Sequence, residues 1–270
     1  MTSRFFGIAL VSMIVLSAAP LRAQSGCAGL PGHDALRSAL ISAVSTPGNG
    51  GLGNQMWATI VDRDGIVCAV AFSGADRGAQ WPGSRVISEQ KANTANAFSL
   101  DGLALSTANL YAPVQPFDGS LYGLQHSNPI DAAAAYGTAG DAPKYGQVSD
   151  PMVGNRIGGV NVFGGGLGLY DRVRSKDRVV GGLGVSGDTS CADHMIAWRV
   201  RNNLGLDHLK GVAGVSGDPD RPDNIVYDIS PLGPTVGAIG ISQHGFGHPT
   251  CLNTADPSAL PKVAPITREE

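Results

Sequence analysis

Lys91 is the charge hardest to explain as surface decoration in this 270-residue chain. A helix over 85–100 would place it on one stripe with Ile87, Thr94, Ala95 and Phe98. A buried lysine is rare unless it is paired or functional. Its stem could also run along the apolar surface and carry the ammonium out to water. The chemical reading is an ammonium that faces a pocket and holds an anionic group. Asp193 is the second candidate. It follows Ser190 by three residues, which is also the Ser-x-x-Asp form of a helix capping box, and Asp188 competes for the N-cap. As a site residue it would turn into the pocket beside a glycine-rich strand and act with Lys91 as acid, base or electrostatic anchor.

That strand carries Gly181, Gly182, Gly184 and Gly187. Glycine weakens a strand and marks a place where a ligand or another backbone comes close. The helix over 190–204 starts directly after it, so its first amides are candidates to hold a carboxylate. The spacing is not the dinucleotide fingerprint, and the glycines at 164–166 lack the Lys-Ser/Thr of a phosphate loop.

Six histidines are present. His126, in a long loop, is an imidazole placed to ligate a metal. His194 falls on a helix and reads as a surface residue. His244 and His248 have H-x3-H spacing, but the glycines between them argue against a metal-binding helix. No G-x-S-x-G elbow occurs, and nothing points to a hydrolase triad.

The elements that must position these groups follow from periodicity. A helix spans 33–44 and a loop spans 46–54. Residues 56–72 form a hairpin around Asp62-Arg63-Asp64-Gly65. The next helix covers 85–100 with Ser84 as its N-cap, and 101–111 forms a second short helix. Residues 112–159 carry five prolines and no sustained period apart from one helical turn at 131–136. Long structureless loops of this kind are often functional. Strands follow at 160–163, 167–170 and 178–186, then the helix at 190–204. Hairpins separated by helices indicate an α+β fold with helices packed on an antiparallel sheet. Residues 205–270 form a C-terminal extension with further loops and one strand at 236–241.

Composition narrows the function. Glycine supplies 38 residues and proline 17, while charged residues are 15%, against about 25% in an ordinary soluble domain. No Gly-x-y period marks a fibrous chain. A net charge of −3 without a basic cluster argues against a nucleic-acid partner. Arg4, the apolar run 5–19 and the small residue Ala23 read as a signal peptide over 1–23. The run is shorter than the roughly 20 residues of a membrane span. The mature chain, 24–270, then carries no span and is periplasmic or secreted. Export makes Cys27, Cys68, Cys191 and Cys251 disulfide candidates with three possible connectivities. The pairing Cys27–Cys68 with Cys191–Cys251 is favoured. The first would staple the mature N-terminus to the hairpin, and the second would tie the tail to the core. No pair has the C-x2-C spacing of a metal site.

Three segments together carry a resemblance: VDRDGIVCAVAFSGA at 61–75, QKANTANAF at 90–98 and VVGGLGVSGDTSCADHMIA at 179–197. They resemble the GlcG/HbpS family of haem-binding proteins, with its V-D-x-x-G hairpin, K-A-x-x-A helix and G-x-x-G-V-S-G strand before an Asp-bearing helix. Asn128-Pro129-Ile130 and Gly158-Gly159-Val160 are similar to further family segments, and the ordered match covers 33–204. The resemblance implies a profilin-like α/β/α sandwich with a central antiparallel sheet, making 24–270 one domain. It implies haem or small-metabolite binding and assembly into homo-oligomers. Lys91, Gly184, Gly187 and Asp193 match the family motif and become ligand-binding candidates, and His126 becomes the candidate axial ligand of haem iron. The expected function is an exported protein that binds haem or a related anionic small molecule. The alternative is an enzyme of the same fold acting on a small oxygenated metabolite, with Lys91 and Asp193 in the site. Three features depart from the family. An Arg frequent in its second strand is replaced near Phe72, the loop 112–159 is longer, and the tail 205–270 has no counterpart in short members.

Overall fold

The computed structural model describes residues 26–230 and 240–265. The proposed leader at 1–23 lies outside these residues. Alternation of side chains explains the centre of the fold. Helix α1 (His33–Ser45) leads into β1 (Trp57–Asp62) and β2 (Val67–Phe72), joined by the turn at Asp62–Gly65. In that turn the Asp62 carboxylate accepts from the amides of Asp64 and Ile66, and Gly65 takes φ +77°. Helix α2 (Ser84–Phe98) follows; after the long loop come β3 (Gly166–Val173), β4 (Lys176–Ser186) and α4 (Ser190–Asn203). The sheet runs β2-β1-β4-β3, and every pairing is antiparallel.

Strands β3 and β4 alternate glycine with large residues in matched register, Gly166 opposite Gly184, Leu167 opposite Leu183 and Gly168 opposite Gly182. The leucines join α1 and α4 in one apolar core with Ile60, Met195 and Trp198. The glycines face α2 and leave a smooth floor. A methyl group on Gly184 would lie 1.8 Å from the Ser88 carbonyl oxygen, and one on Gly182 would lie 2.2 Å from that of Ala92. Helix α2 therefore lies against the backbone of the sheet, and the Thr59 and Ser88 hydroxyls meet at 2.8 Å across the contact. The result is a helix layer on each face of an antiparallel sheet.

Several boundaries differ from the sequence reading. Helix α2 begins at Ser84 itself, preceded by Gly83, so Ser84 is not its cap. The short helix at 101–111 resolves into two 3-10 turns, Thr107–Leu110 and Ala112–Val114. Residues 160–163 form no strand, because the chain turns through positive φ at Gly158, Gly159 and Gly165 on either side. The expected strand 236–241 lies largely outside the described residues; Ile241–Ser242 pairs with Ile229–Ser230. The long loop contains helix α3 (Ala132–Tyr136), whose first turn is capped by Asp131. The loop is gathered around Arg85, which donates to the Asp150 carboxylate and to the Ala135 carbonyl.

The extension after α4 lies along that helix. Arg201 makes a two-pronged ion pair with Asp223 at 2.6 and 2.8 Å. The Trp198 indole donates to the Pro261 carbonyl, and Leu260 and Val263 enter the core. This cover buries His194 completely, which corrects its reading as a surface residue. Its Nε2 accepts from the Ile225 amide at 3.1 Å, and burial lowers its pKa to about 4.

Candidate functional site

The structure brings Lys91 and Asp193 into contact. Lys91 Nζ donates to Asp193 Oδ2 at 2.6 Å and to the Val185 carbonyl at 3.1 Å. The other carboxylate oxygen accepts from the Asp188 amide at 2.9 Å. Both side chains are buried, so the lysine stem does not reach water. Burial pushes Asp193 up, to about 6, against the pull of the ammonium, and pushes Lys91 down against the pull of the carboxylate. Gly165 closes the pair from above at φ +111°. A methyl group there would meet the Val185 carbonyl at 2.3 Å and Lys91 Nζ at 3.3 Å.

This geometry alters what the glycines and the start of α4 do. The close approach at Gly184 is made by helix α2, and that at Gly187 by the Gln55 carbonyl, 2.5 Å from where a methyl would stand. Protein backbone thus occupies the places expected to border a ligand. The N-cap of α4 is Thr189, whose hydroxyl accepts from the Ala192 amide, and not Ser190 or Asp188. The Asp188 carboxylate instead accepts from the amides of Leu52 and Asn54. The Asp193 amide donates to the Thr189 carbonyl, and the Cys191 amide points at the Cys251 sulfur. The amides of Cys191, Ala192 and Asp193 are therefore already engaged, which leaves none of them to receive the expected carboxylate.

A second cluster adjoins this one, and sequence reasoning did not find it. The Ser190 hydroxyl lies 2.7 Å from Nε2 of His248. Nδ1 of the same ring lies 2.6 Å from the Pro249 carbonyl. The Tyr111 ring packs on the imidazole at 4.9 Å between centroids. The ring of Tyr227 stands 6.5 Å away, and its buried hydroxyl has no hydrogen-bond partner among the described residues. Burial holds His248 down, at about 4, so its ring is neutral near pH 7. The disulfide Cys191–Cys251 fixes the juxtaposition, with Cα atoms 5.9 Å apart. The signal was present in the sequence: Ser190 abuts one cysteine, His248 lies three residues from the other, and the favoured pairing brings both together. His244, the other half of H-x3-H, faces outward and meets Asp228 at 2.9 Å. Cys27–Cys68 is the other disulfide, with Cα atoms 5.3 Å apart.

His126 belongs to neither cluster. It is exposed, and neither ring nitrogen has a hydrogen-bond partner among the described residues. The Tyr122 ring packs edge-on to it at 6.3 Å. The two border a cleft of about 130 Å³ with Val114, Gln115 and Gln125. Phe117, Leu121 and Tyr122 are each at least half exposed in this same stretch of chain.

One more group was missed. Glu89, two residues before Lys91, is completely buried, and neither carboxyl oxygen has a hydrogen-bond partner among the described residues. Burial raises its pKa to about 9, so it holds its proton at neutral pH.

Comparison with known proteins gives a family. A family model described as haem degrading protein HbpS-like matches residues 35–201. Solved structures similar to the chain include the PduOC:heme complex, at 22% identity and TM-score 0.41, with 63% of this chain and 90% of that chain covered. Protein ORFY of Klebsiella pneumoniae is similar at 22% identity and TM-score 0.40, with coverage of 64% and 87%. A double mutant of Streptomyces reticuli HbpS is similar at 15% identity and TM-score 0.32, with coverage of 73% and 98%. None of the curated proteins compared with the chain matches it.

Proposed function

From the premise that the chain belongs to the HbpS-like haem degrading family, we propose that it is an exported binding protein that takes haem on the face around His126. The observation that carries this reading is the exposed imidazole beside a patch of outward-facing apolar rings. Haem iron is commonly held by a histidine ring nitrogen, and neither ring nitrogen of His126 is engaged by another group among the described residues. The porphyrin needs apolar surface, which Phe117, Leu121 and Tyr122 supply. Bound there, haem would bring its own iron chemistry, while the protein would ligate the metal and shield one face of the ring.

Lys91 and Asp193 are not the residues on which this reading rests. Their charges neutralise each other in a closed chamber, so the alternative enzyme built on them would first have to open that pair. The cleft beside His126 also bears on assembly. At about 130 Å³ it is smaller than the roughly 300–1,000 Å³ of a pocket that encloses its ligand. It would grip one edge of a haem, and a second copy of the chain would cover the rest, which favours a homo-oligomer.

Export rests on the leader-like segment 1–23 and on two disulfides, which persist in oxidising compartments. No helix among the described residues is long and apolar enough to cross a membrane. The extension 205–270 is read as part of the same domain as the core, because its side chains share that core.

The test is a haem titration followed by the Soret band. The wild-type chain shifts and sharpens the band, and His126→Ala abolishes that shift without lowering the melting temperature. Binding with an unchanged spectrum in His126→Ala removes the ligand assignment.

A further inference from the structure

Ser190 and His248 are joined in a way that a simple staple between helix and tail does not require. A backbone carbonyl only accepts hydrogen bonds, so the nitrogen 2.6 Å from the Pro249 oxygen, Nδ1, must carry the ring proton. Nε2 is then the bare nitrogen, and the Ser190 hydroxyl donates to it at 2.7 Å. This is the arrangement of a serine nucleophile and its general base, with a main-chain carbonyl as the group that orients the imidazole. The Gly164 amide donates to the Ser190 oxygen at 2.6 Å and fixes its position from a third side. Ser190 is partly exposed, whereas His248 is buried. The base is thus shielded from water while its partner retains access.

We propose that Ser190 and His248 form an acyl-transfer dyad that acts on carboxylic esters with an apolar acyl group. The surroundings match that class. The rings of Tyr111 and Tyr227 flank the imidazole, and Phe163 lies exposed next to Gly164. The Tyr227 hydroxyl is a buried donor with no hydrogen-bond partner among the described residues, and a carbonyl oxygen of the ester would satisfy it.

The chemistry closes without a co-reactant other than water. The Ser190 oxygen attacks the ester carbon as its proton passes to Nε2. The C–O bond to the alcohol breaks, and the departing oxygen takes that proton. A water then loses a proton to Nε2, attacks the acyl-serine, and releases the acid as the proton returns to Ser190. Cys191 and Cys251 take no part, because their sulfurs are bonded to each other.

The experiment is covalent labelling of the full chain, disulfides intact, with an alkyl fluorophosphonate, read by peptide mass spectrometry. A p-nitrophenyl ester assay runs in parallel. Ser190 takes up the label ahead of every other serine, Ser190→Ala loses it, and His248→Gln slows labelling and hydrolysis by about 10²-fold or more. Tyr227→Phe slows hydrolysis while leaving the melting temperature unchanged. The absence of an adduct at Ser190 in the wild-type chain overturns the proposal, as does label spread evenly over several serines. A folded His248→Gln that labels at the wild-type rate overturns it as well. The result is independent of haem, since neither residue belongs to the His126 face.

Discussion

Helix α2 carries two ionisable side chains, two residues apart, that leave water on opposite terms. Lys91 meets Asp193 and the Val185 carbonyl, so each charge has a counter-charge that opposes the cost of its burial. Glu89 meets no hydrogen-bond partner among the described residues and keeps its proton instead. Burial penalises the charged form in both cases. What differs is whether the surroundings supply the opposite charge. The Lys91 side of α2 looks onto the glycine floor, where the turn at Gly165 and the start of α4 bring a carboxylate within reach. Glu89 is enclosed beside Gly158, whose pull toward the charged form is outweighed by burial.

The largest effect should come from breaking the matched pair. Asp193→Asn leaves the Lys91 ammonium buried without its counter-charge, and losing one partner of a buried pair costs about 3–5 kcal/mol. Chemical denaturation should show a loss of that size, and adding Lys91→Met to the variant should recover much of it. If Asp193→Asn alone costs under about 1 kcal/mol, the pair is not what holds α2 to α4.

Next in size is the pH response set by Glu89. Its carboxyl binds a proton more tightly folded, at about 9, than at its ordinary value of 4.5. Between those values the folded chain keeps a proton that the unfolded chain releases. Stability is therefore full below pH 4.5 and falls as pH rises toward 9, by about 1.4 kcal/mol per unit. From pH 6 to 8 that contribution amounts to about 3 kcal/mol by the same relation. Glu89→Gln cannot ionise, so it should flatten this part of the curve. A wild-type melting temperature that rises across pH 6 to 8 in step with the variant's would contradict the assignment.

The smallest effect tests the floor on which both groups depend. Gly184→Ala puts a methyl into the Ser88 carbonyl, so α2 must move outward. Overpacking of this kind costs about 1–3 kcal/mol. Amide exchange should quicken along α2 and β4 and stay unchanged in α1, which packs on the opposite face.

The sequence made the scaffold readable where the signals were local. The Asp62–Gly65 turn, the periodic helices and the end of β4 at Ser186 needed only neighbours along the chain, while the start of β4 lies two residues earlier than its expected place at 178. Lys91 stood out because a cation on an apolar stripe contradicts its surroundings. The glycine strand was read as a place of close approach, which it is, but the approaching group is helix α2. What stayed hidden depends on distant segments. Glu89 carries no mark in the sequence that sets it apart from an ordinary polar helix position, and its burial depends on Gly158 at the far end of the long loop. His194 looks like a surface residue until Ile225 and Asn224 arrive from the extension. Ser190 and His248 lie 58 residues apart, and only the disulfide pairing could have joined them.

The two disulfides also divide the covalent chain. The ring closed by Cys27–Cys68 ends before the ring closed by Cys191–Cys251 begins, and residues 112–159 lie in neither. A single peptide cut in that stretch parts the molecule into two pieces joined only by packing. A cut at 205–250 leaves both fragments tethered through sulfur. The extension that supplies His248 thus remains attached to α4 after such a cleavage, while the His126 face sits on the one long segment where a nick severs the protein.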